Sequence, residues 1–419
     1  MMTPLGLYVH IPFCKSKCSY CDFYSLAGSE SQMDAYCTAL TRHLEEVAPQ
    51  CTHHMVDTVY FGGGTPSYLG AARLTALLKT IKKRYTLSKD AEITVECNPD
   101  SAGDWKALRT LRRAGFNRIS LGVQSTDDAL LQEIGRVHTF SQVTDAVAAA
   151  RMAKIDNISL DLIYGLPHQT LEQWQDTVRT AAALEVEHLS CYGLKIEEGT
   201  PLYAHRESAQ LPDDDAQAEM YLWMVDYLEK HSYHQYEISN FARDGFESRH
   251  NLKYWQMMPY AGFGPGAHSD FGDVRFAYTR DLHSYLAGNL ELSEREDISP
   301  RDRMQEYIML SLRTVDGIDR NHFERQYRHR FAPMEKLLEQ YESHGLAART
   351  EKGWRLTAEG FLVSNAIIVS LQEAIGQAAQ ERLRRAQDGD FRILEYKTRE
   401  ERRKAVFFTG FSLLFVTVS

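Results

Sequence analysis

The sequence predicts an α/β protein: a partial (β/α)6 barrel followed by a smaller, mostly helical domain of winged-helix-like pattern. Three observations carry this. From Leu5 to about residue 240, short β-branched runs alternate with longer amphipathic stretches. Repeated βα units imply parallel strands joined by right-handed crossovers. The residues richest in chemistry follow the strands, as in a βα barrel, whose catalytic groups gather at the rim where the strands end.

In order, strands are expected at 5–11, 56–61, 92–97, 117–123, 157–164, 188–195 and 234–238. Amphipathic helices are expected near 31–48, 71–84, 103–114, 139–153, 170–184 and 213–231. About six units are present where a closed barrel needs eight, so the barrel is expected to be laterally open. The core domain is placed at 1–240. A connecting region, 241–299, is marked by Gly262, Gly264, Gly266 and Gly272 with Pro259 and Pro265. In the second domain, 300–375, helices are expected at 303–313, 322–330 and 334–344, then a hairpin around Glu351-Lys352-Gly353 and a helix from Thr357. Residues 376–419 form an extension, charged over 381–404 and apolar over 405–419. This mostly apolar run of fifteen residues falls short of the ~20 a spanning helix needs; a basic run before an apolar one can touch a membrane surface, but a frayed terminal extension is the favoured reading.

The chain of 419 residues has room for one barrel-sized domain and a smaller one. With 47 basic against 57 acidic groups, a dominant nucleic-acid footprint is not expected. Cys37, Cys51, Cys97 and Cys191 are scattered, and the total of seven is odd. That pattern argues for a reducing cytoplasm and against a disulfide scaffold. No signal-peptide pattern is visible at the N-terminus.

The remaining cysteines, Cys14, Cys18 and Cys21, stand at C-x3-C-x2-C spacing directly after the first expected strand. Soft thiolates select iron–sulfur clusters, zinc or copper(I), and a redox pair is also compatible with the spacing. Structural zinc and an ordinary cubane want four protein ligands. Three thiolates would leave one iron of a 4Fe–4S cluster open to an external ligand.

Phe61-Gly62-Gly63-Gly64-Thr65-Pro66 follows the second strand. Consecutive glycines let a backbone approach a ligand and offer N–H groups to anionic oxygens. Glu96 ends the third strand, where a buried carboxylate needs a partner such as Arg118. Gln124, Arg136 and Asp161 follow in the same order, and an Asp at a strand end suits ribose hydroxyls. His250-Asn251-x-x-Tyr254-Trp255 sets an imidazole and an amide beside two aromatics. Such a block can bind a planar conjugated ligand, or it can be a satisfied histidine beside core aromatics.

Tyr8-x-His10-x-Pro12-Phe13-Cys14, with C-x3-C-x-Tyr-C behind it, resembles the radical S-adenosylmethionine superfamily, and within it the oxygen-independent coproporphyrinogen oxidase-like group. The resemblance runs from about Tyr8 to Leu371. It implies a 4Fe–4S cluster on Cys14, Cys18 and Cys21, with S-adenosylmethionine on the fourth iron. Reduction then cleaves the sulfonium to a 5′-deoxyadenosyl radical. By the same resemblance, Gly63, Gly64, Thr65, Glu96, Gln124, Arg136 and Asp161 contact S-adenosylmethionine, and Tyr8 and Tyr20 pack around it. The H-N-x-x-Y-W block resembles the HemW branch of the group. That implies haem at His250, Tyr254 and Trp255, with His268 a weaker ligand candidate.

The function implied is a haem chaperone that passes haem to an acceptor haemoprotein, a respiratory, membrane-associated one being expected, with flavodoxin or ferredoxin as electron donor. The alternative is a coproporphyrinogen III oxidase decarboxylating propionates. Those oxidases carry a further cysteine two residues after the third, where this chain has Phe23, and an N-terminal segment ahead of the first strand. Both departures favour the chaperone. The resemblance does not reach the C-terminal extension.

Overall fold

A computed structural model describes residues 2–272 and 274–389. They form two compact units that divide between Ile298 and Ser299. The first is built on one sheet of twelve strands. Its centre is six parallel strands in chain order: β1 (Thr3–Ile11), β2 (His54–Gly63), β3 (Leu87–Cys97), β4 (Arg118–Gln124), β5 (Asn157–Tyr164) and β6 (His188–Gly193). These strands are buried almost continuously, as parallel strands covered on both faces must be. The longer helices between them are α1 (Glu30–Val47), α2 (Ala71–Arg84), α3 (Trp105–Ala114), α4 (Phe140–Met152) and α5 (Leu171–Ala183).

Helix starts are written locally. Before α1, the Ser29 hydroxyl accepts from the Gln32 N–H, and the Gln32 side chain accepts from the Ser29 N–H. Thr170 and Gln173 repeat the pair before α5. Each such cap contributes about 1 kcal/mol. Met33, Tyr36, Leu40 and Leu44 recur at helical spacing and bury one face of α1.

The seventh expected strand departs from the repeat. After α6 (Asp214–Lys230), β7 (His234–Glu237) turns through two residues into β8 (Asn240–Ala242), and β8 lies antiparallel to both β7 and β6. A link that short can join only antiparallel strands, so this unit is a hairpin and not another crossover.

Residues 241–298 continue the sheet of the first unit. Past α7 (Arg249–Trp255), β9 (Tyr260–Phe263) lies parallel to β1 on the side away from β2. β10 (His268–Phe271), β11 (Val274–Tyr278) and β12 (Leu292–Asp297) follow antiparallel. The sheet therefore ends at β12 and β7, which do not pair with one another, and the barrel is open.

The second unit carries α8 (Pro300–Ser311), α9 (Arg320–Tyr327), α10 (Ala332–Ser343) and α11 (Ser364–Gly389). Its small antiparallel sheet joins β13 (Ile318–Asp319), β14 (Ala347–Arg349) and β15 (Gly353–Leu356), with β15 central. Phe323, Phe331, Leu338, Trp354 and Leu371 are buried in it. Most of the charged stretch and the whole apolar run of the extension lie outside the described residues. Among the described residues, no helix is long and apolar enough to cross a membrane.

Candidate functional site

The cysteine loop leaves the end of β1 and is pinned at base and tip. At the base, the Cys14 N–H donates to the Leu26 carbonyl at 3.1 Å and the Leu26 N–H to Pro12 at 2.9 Å. At the tip, the Ser19 N–H donates to Ile134 at 3.1 Å, and Ser19 accepts from the Leu202 N–H at 2.9 Å. Tyr20 packs on Leu130, Ile134, Ile163 and Leu166. Four long-range backbone bonds thus hold the loop before any ligand arrives.

Burial raises the Cys14 thiol above its ordinary range. Burial, with Cys18 and Cys14 nearby, pushes Cys21 up to about 12. Such thiols ionise only beside a strong positive charge, which bound metal supplies. Among the described residues no three His, Cys, Asp or Glu side chains converge on a single ion. A cubane needs no such convergence, because each thiolate takes a different iron.

Two protein donors already serve the sulfurs. The Thr65 hydroxyl donates to Cys14 Sγ and Arg136 Nη1 to Cys18 Sγ, each at 3.5 Å. Asn98 links them: its Nδ2 donates to Thr65 Oγ1 at 3.3 Å, and its Oδ1 accepts from Arg136 Nη2 at 3.0 Å. Arg136 Nη2 also reaches the Gly122 carbonyl at 2.7 Å. Sequence reasoning missed Asn98, although an amide just past the strand end, two residues after Glu96, was the available signal.

The glycine turn differs from its expectation. The Gly63 N–H donates to Glu96 Oε2 at 3.0 Å, Gly64 to Ile11 at 2.8 Å and Thr65 to Phe13 at 2.8 Å. All three donors are spent inside the protein, so the turn offers close approach and not an N–H cradle. Gly63 has φ +110°, and a Cβ there would lie 2.5 Å from the His10 ring. A Cβ on Gly64 would meet the carbonyls of Phe13 and Ile11 at 2.8 and 2.9 Å. Only glycine lets β2 turn this tightly against the start of the cysteine loop.

Glu96 accepts from Tyr60 Oη at 2.8 Å as well as from Gly63. Burial is the main cause that raises its carboxyl to about 8, with Asp161 adding, while the Tyr60 hydroxyl, the Gly63 N–H and Arg118 oppose. Arg118, buried at the start of β4, thus acts on Glu96 through its charge. Asp161 sits on β5, and both its oxygens accept from the Ser120 hydroxyl, at 3.0 and 2.9 Å. Gln124 is buried at the end of β4 with φ +61°, where the β4–β5 register slips. Tyr8 is buried beside Tyr60, Ala267 and Tyr278, and its hydroxyl bonds His10 Nδ1 at 3.1 Å.

Among the buried polar atoms of the described residues that lack a protein partner, Gln124 Oε1, an acceptor, and Arg136 Nε, a donor, lie at this rim. Leaving such a group unpaired costs roughly 1–3 kcal/mol. The donor set therefore fits a ligand carrying both hydroxyl and carboxylate groups beside the three thiols, which an aminocarboxylate nucleoside such as S-adenosylmethionine has.

The H-N-x-x-Y-W block lies elsewhere, on α7, and it is closed. His250 is fully buried, and Tyr254 and Trp255 are buried too. His250 Nδ1 bonds Thr58 Oγ1 and its Nε2 bonds Tyr254 Oη, each at 2.9 Å. Burial, with Lys253 and Arg118 adding, lowers it to about 3, so the ring is neutral. Both ring nitrogens are thus taken by protein hydroxyls, and both aromatics are buried. His268, on β10, is also buried.

Comparison with known proteins agrees with this architecture. Residues 8–181 match the radical SAM superfamily, and residues 298–363 the HemN C-terminal domain. The chain is 35% identical to heme chaperone HemW of Bacillus subtilis, over 86% of this chain and 97% of that protein. It is also 35% identical to heme chaperone HemW of Escherichia coli, over 88% and 98%. Among solved structures, coproporphyrinogen III oxidase (HemN) from Escherichia coli, a radical SAM enzyme, aligns with a TM-score of 0.77 at 27% identity, over 88% of this chain and 90% of that one. Since likeness to those chaperones extends over nearly their whole length, with the cysteine loop inside it, this chain belongs to the HemW family.

Proposed function

We propose that this protein is a cytoplasmic haem chaperone. It binds haem, carries a 4Fe–4S cluster with S-adenosylmethionine, and passes haem to an acceptor haemoprotein. The match to HemW proteins over almost their full length carries this reading. The pinned three-thiol loop, with Gln124 Oε1 and Arg136 Nε partnerless beside it, supports the cofactor assignment.

Cys14, Cys18 and Cys21 would hold the cluster, steadied by the donors from Thr65 and Arg136. Glu96, Gln124 and Arg136 would take the amino, hydroxyl and carboxylate groups of S-adenosylmethionine. Gly63, Gly64, Tyr8 and Tyr20 would shape the wall around it, and Asp161 would serve the nucleoside side if the ligand displaces the Ser120 hydroxyl. When bound, the pair supplies reductive cleavage of a sulfonium; the chain's own residues orient it and exclude water. The acceptor is read as a respiratory haemoprotein and the electron donor as a flavodoxin or ferredoxin.

The test is anaerobic reconstitution, with counts of iron and sulfide, electron paramagnetic resonance with and without S-adenosylmethionine, and haem titration followed by absorbance. About four irons, a cluster spectrum that responds to S-adenosylmethionine, and a Soret shift are expected. Tetrahedral zinc in the loop, or no Soret shift, overturns the proposal. So does protoporphyrinogen formed from coproporphyrinogen III at catalytic rates, an outcome that Phe23 in place of a fourth cysteine argues against.

A further inference from the structure

The closed H-N-x-x-Y-W block reaches the cofactor site by another route. The His250 ring stacks on the Tyr60 ring, with centroids 5.1 Å apart and planes 24° from parallel. The Tyr60 hydroxyl donates to Glu96. Beneath this stack the block is fastened at several points. The backbone N–H groups of Arg249 and His250 donate to the two oxygens of the buried Glu92, at 3.1 and 3.0 Å. Lys253 Nζ lies 2.7 Å from Asp57, with its side chain 5% exposed. Thr58, Tyr60 and Asp57 all belong to β2, the strand that ends in the glycine turn.

We propose that His250 is a positioning residue for S-adenosylmethionine, which sets the Tyr60 hydroxyl against the Glu96 carboxylate and is not the ligand of haem iron. Tyr60 is one bond from the carboxylate and has His250 against its ring, so its hydroxyl cannot swing without displacing that ring. Tyr8, centroid 6.3 Å away and 25° from parallel, closes a further side. A histidine suits this place because two hydroxyls, on Thr58 and Tyr254, must both be satisfied in a buried site. A neutral imidazole offers one donor and one acceptor in a flat ring. A leucine here would take a bonding partner from both hydroxyls, and a lysine would bury a charge.

The proposal rests on S-adenosylmethionine binding beside Glu96. Its test measures the affinity of the reconstituted full-length protein for S-adenosylmethionine between pH 6 and 9, by the change in the reduced cluster's paramagnetic spectrum, together with haem affinity by absorbance. In the wild type the carboxylate form accepts best from the ligand's amino group, so binding strengthens as pH rises toward the Glu96 midpoint. The groups facing Glu96 are Tyr8, Tyr60, Gly63, Arg118, Asp161 and the adjacent Cys97. Only the Tyr60 contact changes in the Tyr60→Phe variant, which keeps the ring on His250.

Both Tyr60→Phe and His250→Gln are expected to move the pH midpoint of binding upward by about one unit, a tenfold weakening at pH 7. Haem affinity should stay within about twofold of wild type. A midpoint unchanged in His250→Gln overturns the proposal. So does a haem affinity more than about tenfold weaker in that variant, for that outcome makes His250 the ligand. Should His250→Gln fail to fold, His250→Asn, which keeps a donor and an acceptor but not the ring against Tyr60, takes its place, and an unshifted midpoint there overturns the proposal. A wild-type cluster spectrum indifferent to S-adenosylmethionine instead overturns the cofactor reading, which keeps the two failures apart.

Discussion

Single residues at the cluster rim carry the sharpest consequences. Arg136 donates to Cys18 Sγ, and a cationic donor to a ligating thiolate favours the more reduced, more negative cluster. Replacing it in Arg136→Gln should make the midpoint potential more negative, by on the order of tens of millivolts, in a redox titration followed by paramagnetic resonance. An unchanged or raised potential would show that this contact does not survive cluster loading. Glu96 makes a second prediction. Its folded pKa of about 8 lies well above the ordinary carboxylate range, so the proton is bound more tightly in the folded chain. Folding gains from this at low pH, and the gain is lost progressively as pH rises from about 4.5 through 8. Melting temperatures of the cluster-free protein should therefore fall across that window relative to Glu96→Gln, by a few degrees. Parallel pH profiles for the two proteins would refute it. Glu96 was legible from the sequence as a buried carboxylate needing a partner. Its donors were not, because Tyr60 and Gly63 sit on a neighbouring strand whose register no local pattern fixes.

At the scale of elements, α7 shows how far a motif's residue types can be read. An imidazole, an amide and two aromatics in six residues suit a planar ligand as well as they suit a core. Burial decides between those uses, and it follows from where a seven-residue helix packs. The Lys253–Asp57 pair fastens this helix to β2. Because Lys253 is buried, Asp57→Ala would leave a charge unpaired there and should cost about 3–5 kcal/mol in chemical denaturation. Asp57→Asn, which keeps an acceptor, should cost less. Equal and small costs for both would mean that Lys253 escapes to water. The glycine turn gives the same lesson from another direction. Its sequence marked a sharp turn after an apolar strand, yet its N–H groups went to β1 and Glu96 because the parallel register brings Gly63 opposite Ile11.

The whole molecule divides into two compact units, each with its own sheet and core. The residues proposed to hold cluster and cofactor all belong to the first. Ligands stabilise the unit that binds them, by RT ln(1 + [L]/Kd). Calorimetry should therefore resolve two transitions, of which only one rises on reconstitution with iron, sulfide and S-adenosylmethionine. A single transition that moves as a whole would show the two units to be thermodynamically one. The alternation of β-branched runs with amphipathic stretches was enough to determine six parallel strands, an open barrel and a small helical domain with a hairpin, because side-chain periodicity encodes which face is buried. The spacing of the three cysteines raised the expectation of a soft-metal site, and the flanking residues narrowed it to a cluster. Tertiary structure decided what depended on distant partners: that residues 241–298 extend the barrel sheet beside β1, that Asn98 ties two cysteine donors together, and that His250 lies sealed under Tyr60. Pairing across two hundred residues leaves no local trace, since the energy that selects it comes from groups that meet only once the sheet has formed.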